Sequence, residues 1–408
     1  STFNATLDLF CPTTTVGFTI PNEYRADSLQ FNYGDQYRGE IQLDKFGNVY
    51  ISSSTRSSNF PIVGGFDNTL GGKQDAVLVK LNTNLTSILW SSYLGGSGND
   101  AGYSLFVNDS SMVYATGGTY SPDFPTITGC YQTAYNGGKA DGYIVKIDPA
   151  GSAILKSTYI GTNNYDQSYF IRNQKNSNDV YVYGQSLGKM PVTPGAYSNP
   201  GSHQFISRLD GQLSNINMST VFGSGTPKID ISPSAFSVDN CGNIYTSGWG
   251  GNIIFGPKTL GMAVTPGAFL TTSPNGYDFY LMVLSSNATS LLYGTYFGGS
   301  CSNEHVDGGT SRFDPKGIIY QSVCAGCGGH DDFPVTAGAW PNTPGNPNHN
   351  TDNNNCNNGV FKFDFQIKIT NVTLTTNTIQ GCEPLTVNFS NPTYAGGTYT
   401  WNFGGGNT

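Results

Sequence analysis

Cys324 and Cys327 stand two residues apart in the stretch "VCAGCGGHDDFPVTAGAW" (323–340), followed by His330, Asp331 and Asp332, in a chain with four histidines. With Cys301 and Cys356 they supply the four thiolates of a tetrahedral zinc site. In an oxidising compartment the same residues form disulfides, while redox exchange at Cys-x-x-Cys needs a βαβ context that is not visible here. A second set is acidic. Asp75, Asp141 and Asp278 each open an apolar segment, and Asp35, Asp100, Asp166, Asp230 and Asp307 lie at or near the start of another. Grouped carboxylates bind calcium, and a pair across a pocket cleaves glycosidic bonds. The blander role is to cap turns by accepting backbone N–H bonds. A third set is aromatic: Phe60, Phe124, Tyr197, Phe269 and Trp340 either form a sugar-binding platform or pin their loops to the fold. The chemistry depends on which elements carry these residues.

Composition narrows those elements. Charged residues make up 11% of the 408, against about 25% in average proteins, and Gly (53 residues) is about 13% against about 7%. Tyr (25) and Phe (24) are abundant, and no long helical periodicity is present, so the expectation is all-β with many turns. The net charge of −8 and scattered basic residues argue against nucleic acid. No apolar run is long enough for a membrane-spanning helix. There is no HExxH, no Gly-x-Ser-x-Gly elbow and no P-loop.

A repeat organises the chain. Its anchor is an aliphatic-Tyr pair: "GNVY" at Tyr50, "SMVY" at Tyr114, "NDVY" at Tyr181, "GNIY" at Tyr245 and "GIIY" at Tyr320, spaced by 64, 67, 64 and 75 residues. A proline-containing loop follows ("FPIVGGF", "FPTITGCY", "MPVTPGAY", "MAVTPGAF", "FPVTAGAW"), then an apolar strand ("DAVLVKL", "DGYIVKI", "HQFISRL", "DFYLMVL", "NNGVFKF"). A strand such as "SSYLGG" or "STYIG" comes next. Each unit reads as four strands, a, b, c and d, and four-stranded units at fixed period indicate a β-propeller. Complete a-to-d units fit 75–120, 141–187, 203–250 and 277–325. The N-terminal segment supplies b, c and d (29–53), and a last a strand lies at 359–365. Pairing of N- and C-terminal strands then closes five blades and removes exposed edges; six is the alternative if residues 1–28 add another.

The units resemble SBBP-type β-propeller repeats, with a "VKLD"-like strand, "STYLGG", "GNVY" and an "FPTTPGA"-like loop, over residues 29–366. The third unit departs, lacking Phe-Pro. Residues 381–408 resemble the first half of a PKD domain, an immunoglobulin-like sandwich, with Trp401-Asn402-Phe403-Gly404-Gly405-Gly406 lacking the family's two acidic positions. The expected organisation is an N-terminal segment (1–28), a propeller (29–366) and half of a PKD domain (367–408), with the native chain continuing beyond Thr408. That domain order resembles the large surface proteins of Bacteroidota that leave by type IX secretion and are associated with gliding motility.

The resemblance implies an extracellular, cell-surface adhesion or interaction module, without enzymatic activity or cofactor, whose partners are other surface proteins or glycans. A carbohydrate-binding or carbohydrate-cleaving propeller and a filament subunit are the alternatives. Export favours disulfides over zinc, with Cys301–Cys324 and Cys327–Cys356 as the expected pairs. In the blade geometry the d–a and b–c loops share one face, where all the strand-opening aspartates fall. Lys80, Lys146, Arg208 and Lys362 share one a-strand position near the other face.

Overall fold

The apolar segments form strands because both faces of each are covered: "DAVLVKL" and "DGYIVKI" are buried at every position except the lysine, as in sheets sandwiched on both sides. The computed structural model describes residues 28–29, 38–174, 177–250, 259–306, 312–314, 317–327, 330, 332–340, 357–365, 375–376 and 389–390.

Five antiparallel sheets follow one another along the chain. The first contains β1 (Glu40–Leu43), β2 (Val49–Thr55), β3 (Asp75–Leu81) and β4 (Ile88–Leu94). The second contains β5 (Asp100–Val107), β6 (Val113–Thr119), β7 (Asp141–Ile147) and β8 (Ile154–Ile160). The third contains β9 (Asp166–Asn173), β10 (Val180–Ser186), β11 (Gln204–Leu209) and β12 (Ile216–Phe222). The fourth contains β13 (Ser232–Val238), β14 (Ile244–Trp249), β15 (Phe279–Leu284) and β16 (Leu291–Phe297). The fifth contains β17 (Asn303–His305), β18 (Arg312–Phe313), β19 (Ile319–Cys327) and β20 (Asn357–Phe363). A short pair, β21 (Thr375–Thr376) with β22 (Phe389–Ser390), forms a separate sheet; the rest of the expected PKD segment lies outside the described residues.

The chain is a five-bladed all-β propeller. Its innermost strands are β1, β5, β9, β13 and β18, which touch one another in that order. Every innermost strand is a c strand, so the sheets run c-d-a-b from the axis outward. This corrects the phase expected from sequence: blades begin at c rather than a, with β1 paired to β2 and β2 to β3 in one sheet. A cyclic repeat shows the order of its elements but not where one sheet ends. The short b–c segments, such as Gly95–Asn99, cross from the outer edge of one blade to the inner edge of the next. β20 pairs with β19; the N-terminal segment expected to close the ring lies outside the described residues apart from Ser28 and Leu29.

The anchor tyrosines have a structural reason. Tyr50, Tyr114, Tyr181 and Tyr320 stand directly across from Lys80, Lys146, Arg208 and Lys362. Each cation lies over its tyrosine ring, at 4.9, 5.4, 5.8 and 5.7 Å, a contact of about 0.5–1 kcal/mol at an accessible site. In the fourth blade the partner is Val283, and Tyr245 packs instead on Phe313 and Phe365.

Candidate functional site

The strand-opening aspartates do share one face, at the d–a and b–c loops, but they are not available there. Asp75, Asp100, Asp141, Asp166, Asp230 and Asp278 are all buried. Asp75 accepts the backbone N–H of Gly71 (2.8 Å), Asp100 that of Gly96 (2.8 Å), Asp141 that of Asn136 (2.9 Å) and Asp230 that of Ser224 (2.7 Å). Asp166 accepts from the N–H and hydroxyl of Thr162. These are loop caps. The first aspartate of an a strand and that of the next c strand also meet around the glycine between them. A Cβ on Gly95 would lie 2.7 Å from Asp75 and 2.6 Å from Asp100, and one on Gly161 2.7 Å from Asp141 and 2.9 Å from Asp166. Burial therefore raises these acids, Asp100 and Asp166 to about 6. Burial also raises Asp141 to about 7, with the Asp166 charge adding to it. Between the fourth and fifth blades Asp278 and Glu304 form the pair, both raised mainly by burial. Asp35 and Asp307 lie outside the described residues.

Cys301 is exposed, and Cys301 and Cys324 are not bonded to each other in the structure. The Cys301 N–H and the neighbouring Ser300 hydroxyl both donate to Asp332 (2.6 and 2.8 Å), which holds the b–c loop in place. Cys324 sits within β19, opposite His305. Cys356 and the side chain of Cys327 lie outside the described residues. Asp332 has an internal counterpart that sequence inspection missed. Asp123, also just before Phe-Pro, accepts from the N–H and hydroxyl of Ser97 (2.9 Å each). Among the described residues no three His, Cys, Asp or Glu side chains gather as metal ligands.

The loop aromatics mostly pin loops. Phe124 is buried and stacks on Tyr143 at 4.5 Å, and Phe60 packs on Tyr93 at 6.0 Å. Tyr197 packs against the core, and Phe269 leans on Phe297 at 5.3 Å while half exposed. Trp340 is 94% exposed. The five are spread over separate blades and build no common platform.

The axis of the ring holds the charged cluster that spacing did not reveal. Arg38, ahead of β1, lies 4.6 Å over the Tyr169 ring of the third blade and donates to the Pro233 carbonyl of the fourth. Glu40 of the first blade takes two bonds from Arg172 of the third, 2.6 and 3.1 Å, and one from the Ser104 hydroxyl of the second. Arg312 of the fifth blade stands 3.9 Å from the same carboxylate. Contacts between non-adjacent blades must cross the centre, so the channel is filled, with Tyr103 stacked on Tyr169 at 5.4 Å completing the plug. Burial pushes the Glu40 carboxyl up, but the neighbouring Arg172 outweighs it and holds the group below its ordinary value. On the c–d side an open cavity of about 460 Å³ remains, lined by Ile41, Gln42, Leu43, Arg172, Phe236, Ser237, Arg312 and Phe313.

No protein-family model matches the chain, and no curated protein matches it. Solved structures with a similar chain path include a protein of unknown function from Dyadobacter fermentans (9% identity, 73% of this chain and 79% of that one, TM-score 0.39). Others are a PL25 ulvan lyase (11%, 80% and 68%, 0.38) and the β-propeller domain of the trilobed protease from Pyrococcus furiosus (9%, 70% and 77%, 0.31). At such scores the fold stands on the chain's own strand pairing. No helix among the described residues is long and apolar enough to cross a membrane.

Proposed function

We infer that the chain is a non-enzymatic interaction module: an extracellular propeller of SBBP-type repeats, next to a PKD-like segment, in a larger cell-surface protein exported by type IX secretion. Its partners in this reading are surface proteins or glycans, and it needs no cofactor. The observation that carries the reading is the fate of its acids. The recurrent carboxylates, its best supply for general acid–base chemistry, are buried, and all of the described ones except Asp278 lie under loops that they cap. Glycoside cleavage by paired carboxylates needs two of them facing a substrate pocket. The open cavity has none among its described lining residues, and Glu40 behind it is engaged by Arg172.

The test is a binding screen of the whole chain against glycans and surface proteins, with incubation of every glycan hit followed by mass spectrometry. Saturable binding with the ligand recovered intact supports the reading. A cleaved or otherwise converted ligand overturns it in favour of a carbohydrate-active propeller.

A further inference from the structure

The cavity at the c–d end of the axis departs from the repeat in an informative way. Five c-strand residues stand opposite the five anchor tyrosines: Gln42, Phe106, Arg172, Ser237 and Arg312. The tyrosines are invariant across the blades, whereas their c-strand partners are five positions filled by four residue types. Phe106 stacks on Tyr114 inside the second blade. The other four line the cavity. One symmetry-related position thus supplies an amide, a hydroxyl and two guanidiniums around a single opening.

The two guanidiniums differ in role. Arg172 is fixed by its paired bonds to buried Glu40, by the Ser104 hydroxyl (3.2 Å) and by the Ile171 carbonyl (2.7 Å). Arg312 is set against the same carboxylate at 3.9 Å, yet 44% of its side chain is exposed. A guanidinium carries five N–H donors in a planar fork that matches a carboxylate. Arg172 and Arg312 converge on one described carboxylate, Glu40, in a chain with more acids (27) than bases (19). Phe236 and Phe313 supply apolar walls, and Ile41 and Leu43 form an exposed apolar rim, 58% and 63% accessible. A cavity of this volume falls in the usual range for small-ligand sites.

The geometry points to a binding site for a carboxylate-bearing sugar of the hexuronate class at this end of the axis. Arg312 takes the carboxylate, Gln42 and Ser237 bond the hydroxyls, and a ring face rests on Phe313. The assignment rests on the binding-module reading and gives it a ligand class.

The experiment is a calorimetric titration of the whole chain with sodium glucuronate, glucose and sodium sulfate, repeated on Arg312→Gln and on Lys139→Gln, a cation on the opposite face. Glucuronate binds saturably, and glucose and sulfate bind at least tenfold more weakly. Arg312→Gln weakens glucuronate by about tenfold or more, as expected for a lost charge-assisted bond, with an unchanged melting curve, while Lys139→Gln binds normally. Equal binding of sulfate overturns the sugar assignment, and undiminished binding by Arg312→Gln, or no binding by the unmodified chain, overturns the site. Hits elsewhere in the glycan or protein screen leave the module reading standing in that event; conversion of glucuronosides would sink the module reading while leaving this site in place.

Discussion

Tyr159→Phe removes one oxygen from a contact that recurs around the ring. The Tyr159 hydroxyl donates to the Ser121 carbonyl at 2.7 Å and accepts the Phe124 N–H at 3.1 Å. It thereby fastens the Phe-Pro loop to the outer strand of the second blade. The same oxygen on Tyr93 takes the Phe60 N–H (3.1 Å) and gives to the Ser57 carbonyl (2.6 Å), and Tyr296 accepts the Met262 N–H at 2.8 Å. The third blade has Val221 and Met190 at these places, packed together in an apolar cluster.

The magnitude follows from burial. Tyr159 is fully buried and Phe124 nearly so, so water does not replace the lost bonds. The two backbone groups retain only their mutual 3.3 Å contact. Two net hydrogen bonds at about 1 kcal/mol each give a loss of about 2 kcal/mol. Tyr93→Phe opens a half-buried loop where water can bond, and costs about 1 kcal/mol or less. Because a ring of five blades need not unfold in one step, the direct assay is native-state hydrogen exchange at the Phe124 amide. Its opening equilibrium should rise about thirtyfold in Tyr159→Phe, with the rest of the second blade little changed. An unchanged Phe124 rate, or an equal effect of Tyr93→Phe at Phe60, refutes the argument that burial sets the cost.

Other expectations follow from the same geometry. Asp141 has a folded value of about 7 against an ordinary 3.8, so its contribution is full below about pH 4 and is lost as pH rises through about 7. Asp141→Asn should therefore flatten the dependence of the denaturation midpoint between about pH 4 and 7, and an undiminished slope would assign the titration elsewhere. Lys146→Met should cost about 1 kcal/mol in chemical denaturation, since it loses the Tyr114 face and a bond to the Gly211 carbonyl. Val283→Lys should bring no gain, because Tyr245 is already covered by Phe313 and Phe365. Iodoacetamide without reductant should label Cys301, which is exposed, and spare buried Cys130 until the chain is unfolded; peptide mass spectrometry reads both.

Much of the fold was legible because a propeller repeats its instructions. The Tyr anchors, the a-strand cations and the loop motif each appear once per blade, apart from Val283, and their offsets define four strands in order. What stayed hidden was whatever depends on how the strands are cut into sheets. The tyrosines and the cations were both visible, yet their pairing across the d and a strands needs the register. The strand-opening aspartates border loops, so their sequence allows both an acidic ligand face and the capping of turns. The long d–a loops fold back over the strand ends and bury them, and no alternation pattern reports that. The axial cluster is the least legible part. Glu40 and Arg172 are separated by 132 residues, and Arg172 and Arg312 sit at a position where the other blades carry Gln42, Phe106 and Ser237.

That contrast bears on where function lies in a ring of repeats. A residue type that returns in most of the blades answers a need that every blade has, such as capping a loop, covering a tyrosine or tying an outer strand. Five of the repeated carboxylates meet this description, since Asp75, Asp100, Asp141, Asp166 and Asp230 each accept a loop N–H. Asymmetry is the better guide to a ligand. At the c-strand position facing the anchors, folding requires only a side chain that tolerates a neighbouring tyrosine, and Gln, Phe, Ser and Arg all meet it. Two arginines there, braced on a buried glutamate and open to a cavity, exceed what closure of the ring requires. If Arg172 and Arg312 served only to hold the axis, Arg312→Gln should lower stability and leave every ligand untouched. If they serve a ligand, the same change should spare stability, because a half-exposed ion pair contributes only about 0–1 kcal/mol, and should remove binding.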